Sequence, residues 1–136
     1  MSLTDLDHIG IACADLEAEV ERFRLLFGQE PVHREVVADQ GVEEVFFAVG
    51  SSYVQFLGAL GPDTPVGRFL AKRGPGLHHL AYRVDDIAAT LAEVAAEGAE
   101  LIDTEPRTGS RGTRIAFLHP KAMGGVLVEL VEVPRA

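Results

Sequence analysis

The chain reads as an α+β protein made of two βαβββ modules, and three observations predict this. "LDHIGIACADLEAEVERFRLLFG" (6–28) and "LHHLAYRVDDIAATLAEVAAEG" (77–98) follow one pattern at an offset of 71. His8 falls on His79, Asp15 on Asp86, Leu16 on Ile87, Val20 on Leu91 and Phe23 on Val94. In each copy a short apolar strand meets an aspartate that can cap a helix, and the helical spacing ends at a glycine. Three strand-like runs then follow each helix.

Module one spans about 5–58. Its helix carries Leu16, Val20, Phe23, Leu26 and Phe27 at core-facing spacing and stops at Gly28, and its later strands are expected at 30–37, 43–49 and 52–58. A linking helix follows at about 62–74, with Thr64 as cap, Pro65 at the first helical position and Gly74 as stop. Module two spans about 76–133. Its helix places Ile87, Leu91, Val94 and Ala95 on one face before Gly98, and its strands are expected at 99–103, 113–119 and 125–133.

At 136 residues with 47% hydrophobic content, residues 1–136 are expected to form a single domain with a sufficient core. Cys13 is the sole cysteine, so no intramolecular disulfide forms, and "MSLTDLDHIG" has neither the basic start nor the apolar run of a signal peptide or membrane span. A cytoplasmic protein is expected. The net charge of −9 argues against nucleic acid or an anionic membrane as partner. The acidity is one-sided: residues up to Gly67 carry twelve acids against three bases, whereas those from Arg68 onward carry nine of each. Within the second half, 104–124 holds Arg107, Arg111, Arg114 and Lys121 against Glu105 alone, which suits either a small anionic ligand or a solvated loop.

Adjacent residues on a strand point to opposite faces, so His78 and His79 cannot share one task. His78, Leu80, Tyr82 and Val84 form the face expected beneath the helix. His79 then looks to the concave side, as does His8, whose face-mates Gly10 and Ala12 leave room for the ring. The last strand of each module adds a matching polar residue among aliphatic ones: Gln55 in "YVQFL" and Glu129 in "VLVELV". A carboxylate in such a strand requires a cation, a hydrogen-bond partner or a proton. Two repeat-related pairs, His8/His79 and Gln55/Glu129, therefore point to one divalent ion with two positions left open for a chelating substrate. Such an ion would act as a Lewis acid on an enolate-type charge. Glu43 and Glu44, on opposite faces of their strand, are both candidates for the base, and periodicity does not choose between them.

With these residues in place the chain resembles the vicinal oxygen chelate superfamily and, within it, the methylmalonyl-CoA epimerase family. The resemblance rests on "LDHIGIA" (6–12), "ADQGVEEVFF" (38–47), "GPDTPVGRFLAKRGPGLHHLAYRVDDI" (61–87) and "LIDTEPRTGSRGTRIAFLHPKAMGGVLVELVE" (101–132). It implies a curved, cup-like eight-stranded sheet with helices outside, and metal ligands at His8, Gln55, His79 and Glu129. It favours Glu44 over Glu43 as catalytic base, with Glu129 as the second proton carrier. It implies interconversion of the (2R) and (2S) epimers of methylmalonyl-CoA by α-proton abstraction, with cobalt(II) or manganese(II) as the ion and a homodimer as the assembly. Lys72, Arg73, Arg107, Arg111, Arg114 and Lys121 are the basic residues available to the CoA phosphates.

Two other readings share the fold. A glyoxalase I-like isomerase would also use four ligands and enolisation, while a metal-free binding protein would have no reason to keep four inward ligating residues. A ring-cleaving dioxygenase is disfavoured by the fourth protein ligand, Gln55.

Overall fold

The computed structural model describes residues 3–135. Eight strands and three α-helices follow in the order β1 (Leu3–Cys13), α1 (Leu16–Phe27), β2 (His33–Val37), β3 (Val42–Val49), β4 (Ser52–Ala59), α2 (Pro65–Arg73), β5 (Gly76–Val84), α3 (Ile87–Ala96), β6 (Arg107–Thr108), β7 (Arg114–Leu118) and β8 (Val128–Glu132). The chain divides into two compact units, residues 9–78 and residues 79–136 joined by the N-terminal segment up to His8. The division thus cuts β1 just after His8 and β5 just before His79.

In the unit of residues 9–78 the strand order is β2-β3-β4-β1. The Asp15 side chain accepts from the Ala18 N–H, an N-cap of the kind that contributes about 1 kcal/mol. At the other end Gly28 takes the left-handed conformation (φ 63°), in which its N–H reaches the Arg24 carbonyl. Helix α1 buries Val20 and half-buries Leu16 and Phe23 against Val45, Phe47 and Phe56. Leu26 and Phe27, expected on that face, are exposed (69% and 64%), because the packed stripe ends one turn before the helix does. Helix α2 begins as its cap predicts, with Thr64 Oγ1 accepting from the Gly67 N–H, and ends at Gly74. Its Val66, Phe69 and Leu70 close a second cluster with Ala12, Val37, Val42 and Leu57. Gly41 joins β2 to β3 at φ 66°, and a Cβ there would collide with Thr64.

In the other unit the order is β1-β5-β8-β7-β6. Asp86 caps α3 through the Ala89 N–H, and Glu132 Oε1 accepts the Ile87 N–H at 3.0 Å. Ile87 and Leu91 pack with Val84, Ala116, Leu118, Val128 and Leu130. The predicted strand at 99–103 does not form a ladder: Leu101 makes one bridge, to Leu118, and the short edge strand β6 lies instead at Arg107–Thr108. Tyr82 and Val84 pack toward α3 as expected. Leu80 remains half-buried.

Candidate active site and metal centre

Strand register sorts the polar residues by face. In β8, Val128 and Leu130 join the cluster beneath α3, so Glu129 and Val131 face the other way. Glu129 pairs with Ala81 of β5 and with Phe117 of β7, and His79 shares the face of Ala81 two residues away. The face that carries His79 and Glu129 is therefore the one turned from α3. The same rule holds in residues 9–78. Val45 and Phe47 pack on α1, whereas Glu44 and Phe46 look to the opposite side together with their partners Leu57 and Gln55.

Three ligand atoms converge. His8 Nε2 lies 3.0 Å from His79 Nε2 and 3.0 Å from Glu129 Oε1, and His79 Nε2 lies 3.2 Å from the same oxygen. All three side chains are buried, and they form a group that could hold a metal ion. Two imidazoles and a carboxylate are donors suited to a divalent ion of intermediate hardness.

Behind the triad stands Asp7, which is fully buried. His8 Nδ1 lies 2.7 Å from Asp7 Oδ2, Arg111 Nη2 donates to the same oxygen at 2.6 Å, and Arg83 donates to Oδ1 through Nε (3.0 Å) and Nη2 (2.7 Å). Burial would raise the Asp7 carboxyl, but the His8 hydrogen bond and the two guanidinium groups outweigh it and hold it well below the usual range. Burial would likewise depress His8, yet the hydrogen bonds with Asp7 and Glu129 lift it to about 9. His79 moves the other way, pushed down by burial. Glu129 stays anionic: burial opposes this, and hydrogen bonds with His79 and His8 overcome it, holding the carboxyl at about 2. The buried triad thus joins a histidine pushed toward its charged form, a histidine pushed toward its neutral form and a carboxylate held toward its anionic form.

The predicted site residues fall into groups. His8, His79 and Glu129 come together as described, and Gln55 is 3% exposed with an Oε1 that has no hydrogen-bond partner among the described residues. Leaving such an oxygen unsatisfied costs about 1–3 kcal/mol, so this position is suited to a ligand. Glu44 is 4% exposed. Its neighbour Glu43 is a third exposed and pairs with Arg34 at 2.7 Å, and Arg34 also pairs with Glu17. His78 is turned from His79, its ring edge-on to Phe69 at 4.9 Å. Among the basic residues, Lys72 and Arg73 occupy the last turn of α2, and Lys121 lies in the short 3-10 turn Pro120–Met123. Arg107 packs over Phe117 and pairs with Asp103 at 3.4 Å, and Arg114 lies 3.5 Å from Glu132. Arg111 alone of the six is drawn inward, to Asp7. Sequence reasoning missed Asp7 and Arg83. The available signal is an acidic residue directly before a candidate ligand histidine.

The chain is similar to proteins of known activity. Residues 7–117 match the sequence model of the Glyoxalase/Bleomycin resistance protein/Dioxygenase superfamily. A variant of the Streptomyces coelicolor methylmalonyl-CoA epimerase, solved in complex with 2-nitronate-propionyl-CoA, is 45% identical, covers 99% of this chain and 98% of its own, and superposes with a TM-score of 0.96. A methylmalonyl-CoA epimerase in complex with methylmalonyl-CoA and NH4+ is 46% identical over 97% of this chain and 96% of its own, with a TM-score of 0.94. The Ethylmalonyl-CoA/methylmalonyl-CoA epimerase of Cereibacter sphaeroides is 36% identical over 94% of this chain and 97% of its own. The chain belongs to the Glyoxalase/Bleomycin resistance protein/Dioxygenase superfamily and, within it, to the methylmalonyl-CoA epimerases, which are isomerases.

Proposed function

We propose that this chain interconverts the (2R) and (2S) epimers of methylmalonyl-CoA with the help of one divalent ion, cobalt(II) or manganese(II). The observation that carries the reading is the buried triad of His8, His79 and Glu129, set in a chain that matches methylmalonyl-CoA epimerases over nearly its whole length. These three residues would hold the ion. Gln55, with its unsatisfied buried oxygen, is proposed as the fourth ligand. When bound, the ion supplies positive charge to the substrate's thioester and carboxylate oxygens.

The reaction needs a proton taken from one face of the α-carbon and one returned to the other. Glu44 is the proposed base on one face: its carboxylate takes the α-proton while the C–H electron pair moves toward the thioester oxygen. Its burial keeps water from competing for that proton. Return of a proton to the opposite face inverts the centre, and Glu129 is the proposed carrier there: it delivers a proton taken up from solvent, and Glu44 afterwards releases the α-proton to solvent, so both carboxylates are restored. No co-reactant is consumed. Glu43 is unsuited to either role, because Arg34 already holds it.

The basic side chains Lys72, Arg73, Arg107, Arg114 and Lys121 are proposed to bind the CoA phosphates. The reading extends to a cytoplasmic homodimer: Cys13 is buried as a free thiol, and Leu25, Leu26, Phe27, Val32 and Val49 expose apolar surface that a second subunit would cover. No helix among the described residues is long and apolar enough to cross a membrane.

The test uses purified protein with (2S)-methylmalonyl-CoA in heavy water. Cobalt-loaded enzyme is expected to give both epimers with deuterium at the α-carbon, to stop on chelation, and to recover on re-addition of cobalt(II). Absence of epimerisation by the loaded enzyme would refute the assignment.

A further inference from the structure

The Asp7 carboxylate is saturated. A carboxylate offers about four lone-pair directions, and Asp7 meets four N–H groups: two from Arg83 on Oδ1, and one each from His8 and Arg111 on Oδ2. The oxygen that orients His8 is therefore the oxygen that Arg111 grips. Arg111 is also the only non-glycine residue with positive φ among the described residues (φ 59°), in the tight turn Ser110–Gly112. Left-handed backbone is unfavourable for a side chain that lacks a short local hydrogen-bonding group. Here it accompanies a guanidinium that is only 15% exposed and lies 2.6 Å from Asp7. That is an unsuitable posture for a residue meant to greet phosphates in solvent.

We infer that Asp7 and Arg111 are positioning residues of the metal centre: Asp7 fixes the His8 ring so that Nε2 faces the ion, and Arg111 fixes Asp7. The inference rests on the metal reading of His8, His79 and Glu129. Carboxylates that hold the distal nitrogen of a ligand histidine set its tautomer and its direction, and losing one weakens metal binding about 10- to 100-fold. Arg83 shares the load from Oδ1, so Arg111 alone is expected to account for the lower part of that range.

The experiment titrates cobalt(II) into metal-free wild-type, Asp7→Asn and Arg111→Gln proteins, following calorimetric affinity and the visible absorption of bound cobalt, with circular dichroism to establish folding. Wild type should bind one cobalt per chain. Folded Asp7→Asn should bind it about 10- to 100-fold more weakly with a shifted absorption band, and Arg111→Gln should lose affinity in the same direction but less. A purely structural role would lower thermal stability and leave the affinity and spectrum of the folded protein unchanged, and that result in Asp7→Asn would overturn the inference. If Asp7→Asn does not fold, Arg111→Gln decides by the same two readouts. A raised KM for the CoA substrate with unaltered cobalt affinity in Arg111→Gln would make it a phosphate contact and overturn its assignment. Failure of wild-type protein to take up cobalt would overturn the metal reading itself, and this inference with it.

Discussion

His8 and His79 are the same position in two copies of one module, and their surroundings have diverged. The residue before His8 is Asp7, saturated by donors, and His8 is held up at about 9. The residue before His79 is His78, which packs on Phe69, and His79 is pushed down by burial. The later pair differs too: one module contributes the neutral amide of Gln55, the other the carboxylate of Glu129. Matching places in the two copies thus carry different charge.

The largest difference is expected between His79→Ala and His78→Ala. Loss of a direct ligand should abolish activity and weaken cobalt binding by more than about 100-fold, beyond the range expected for a supporting residue. His78→Ala should leave both nearly intact and cost about 1 kcal/mol of stability through its lost contact with Phe69, read from thermal denaturation. Equal metal loss in the two variants would show that the strand faces are misassigned.

Glu44→Gln and Glu43→Gln should differ next most. The first preserves size while removing basicity and should lower kcat about 10²- to 10⁴-fold. It should also slow deuterium exchange from one epimer more than from the other. Glu43→Gln should cost little beyond its exposed ion pair with Arg34, worth about 1 kcal/mol or less. Wild-type exchange of both epimers by Glu44→Gln would remove it as base. The smallest effect belongs to the surface cations: neutralising Arg107, Arg114 or Lys121 should raise KM for the CoA thioester a few-fold with kcat unchanged, since remote groups bind ground and transition states alike. A short thioester without the nucleotide should be insensitive to these changes.

The sequence made the repeat legible because both its signals are local. Asp15 and Asp86 cap helices three residues away, and strand alternation separates His78 from His79 within one dipeptide. Fold class and candidate ligands followed from that. Asp7 stayed hidden because its partners Arg83 and Arg111 lie 76 and 104 residues along the chain, where no period reaches. Arg111 looked like a surface cation for the same reason. The strand at 99–103 was misread because its apolar alternation is real, yet Leu101 finds only one partner, Leu118. Leu26 and Phe27 continue a helical stripe in sequence beyond the point where β-strand side chains remain to meet it.

The long reach of Asp7 also orders events in time. During synthesis at about 5–20 residues per second, Arg111 leaves the ribosome roughly 5–20 s after Asp7. Glu129 follows later still, 121 positions behind His8 by their numbering (129 less 8). Until His79 emerges, 71 positions behind His8, the nascent chain carries only one histidine of the triad beside a hydrated Asp7, both harmless in water, in place of a half-built cluster of buried charge. Only when the end of the second module has emerged do both histidines, the carboxylate and the two arginines exist together, so a product truncated before Glu129 lacks one member of the triad.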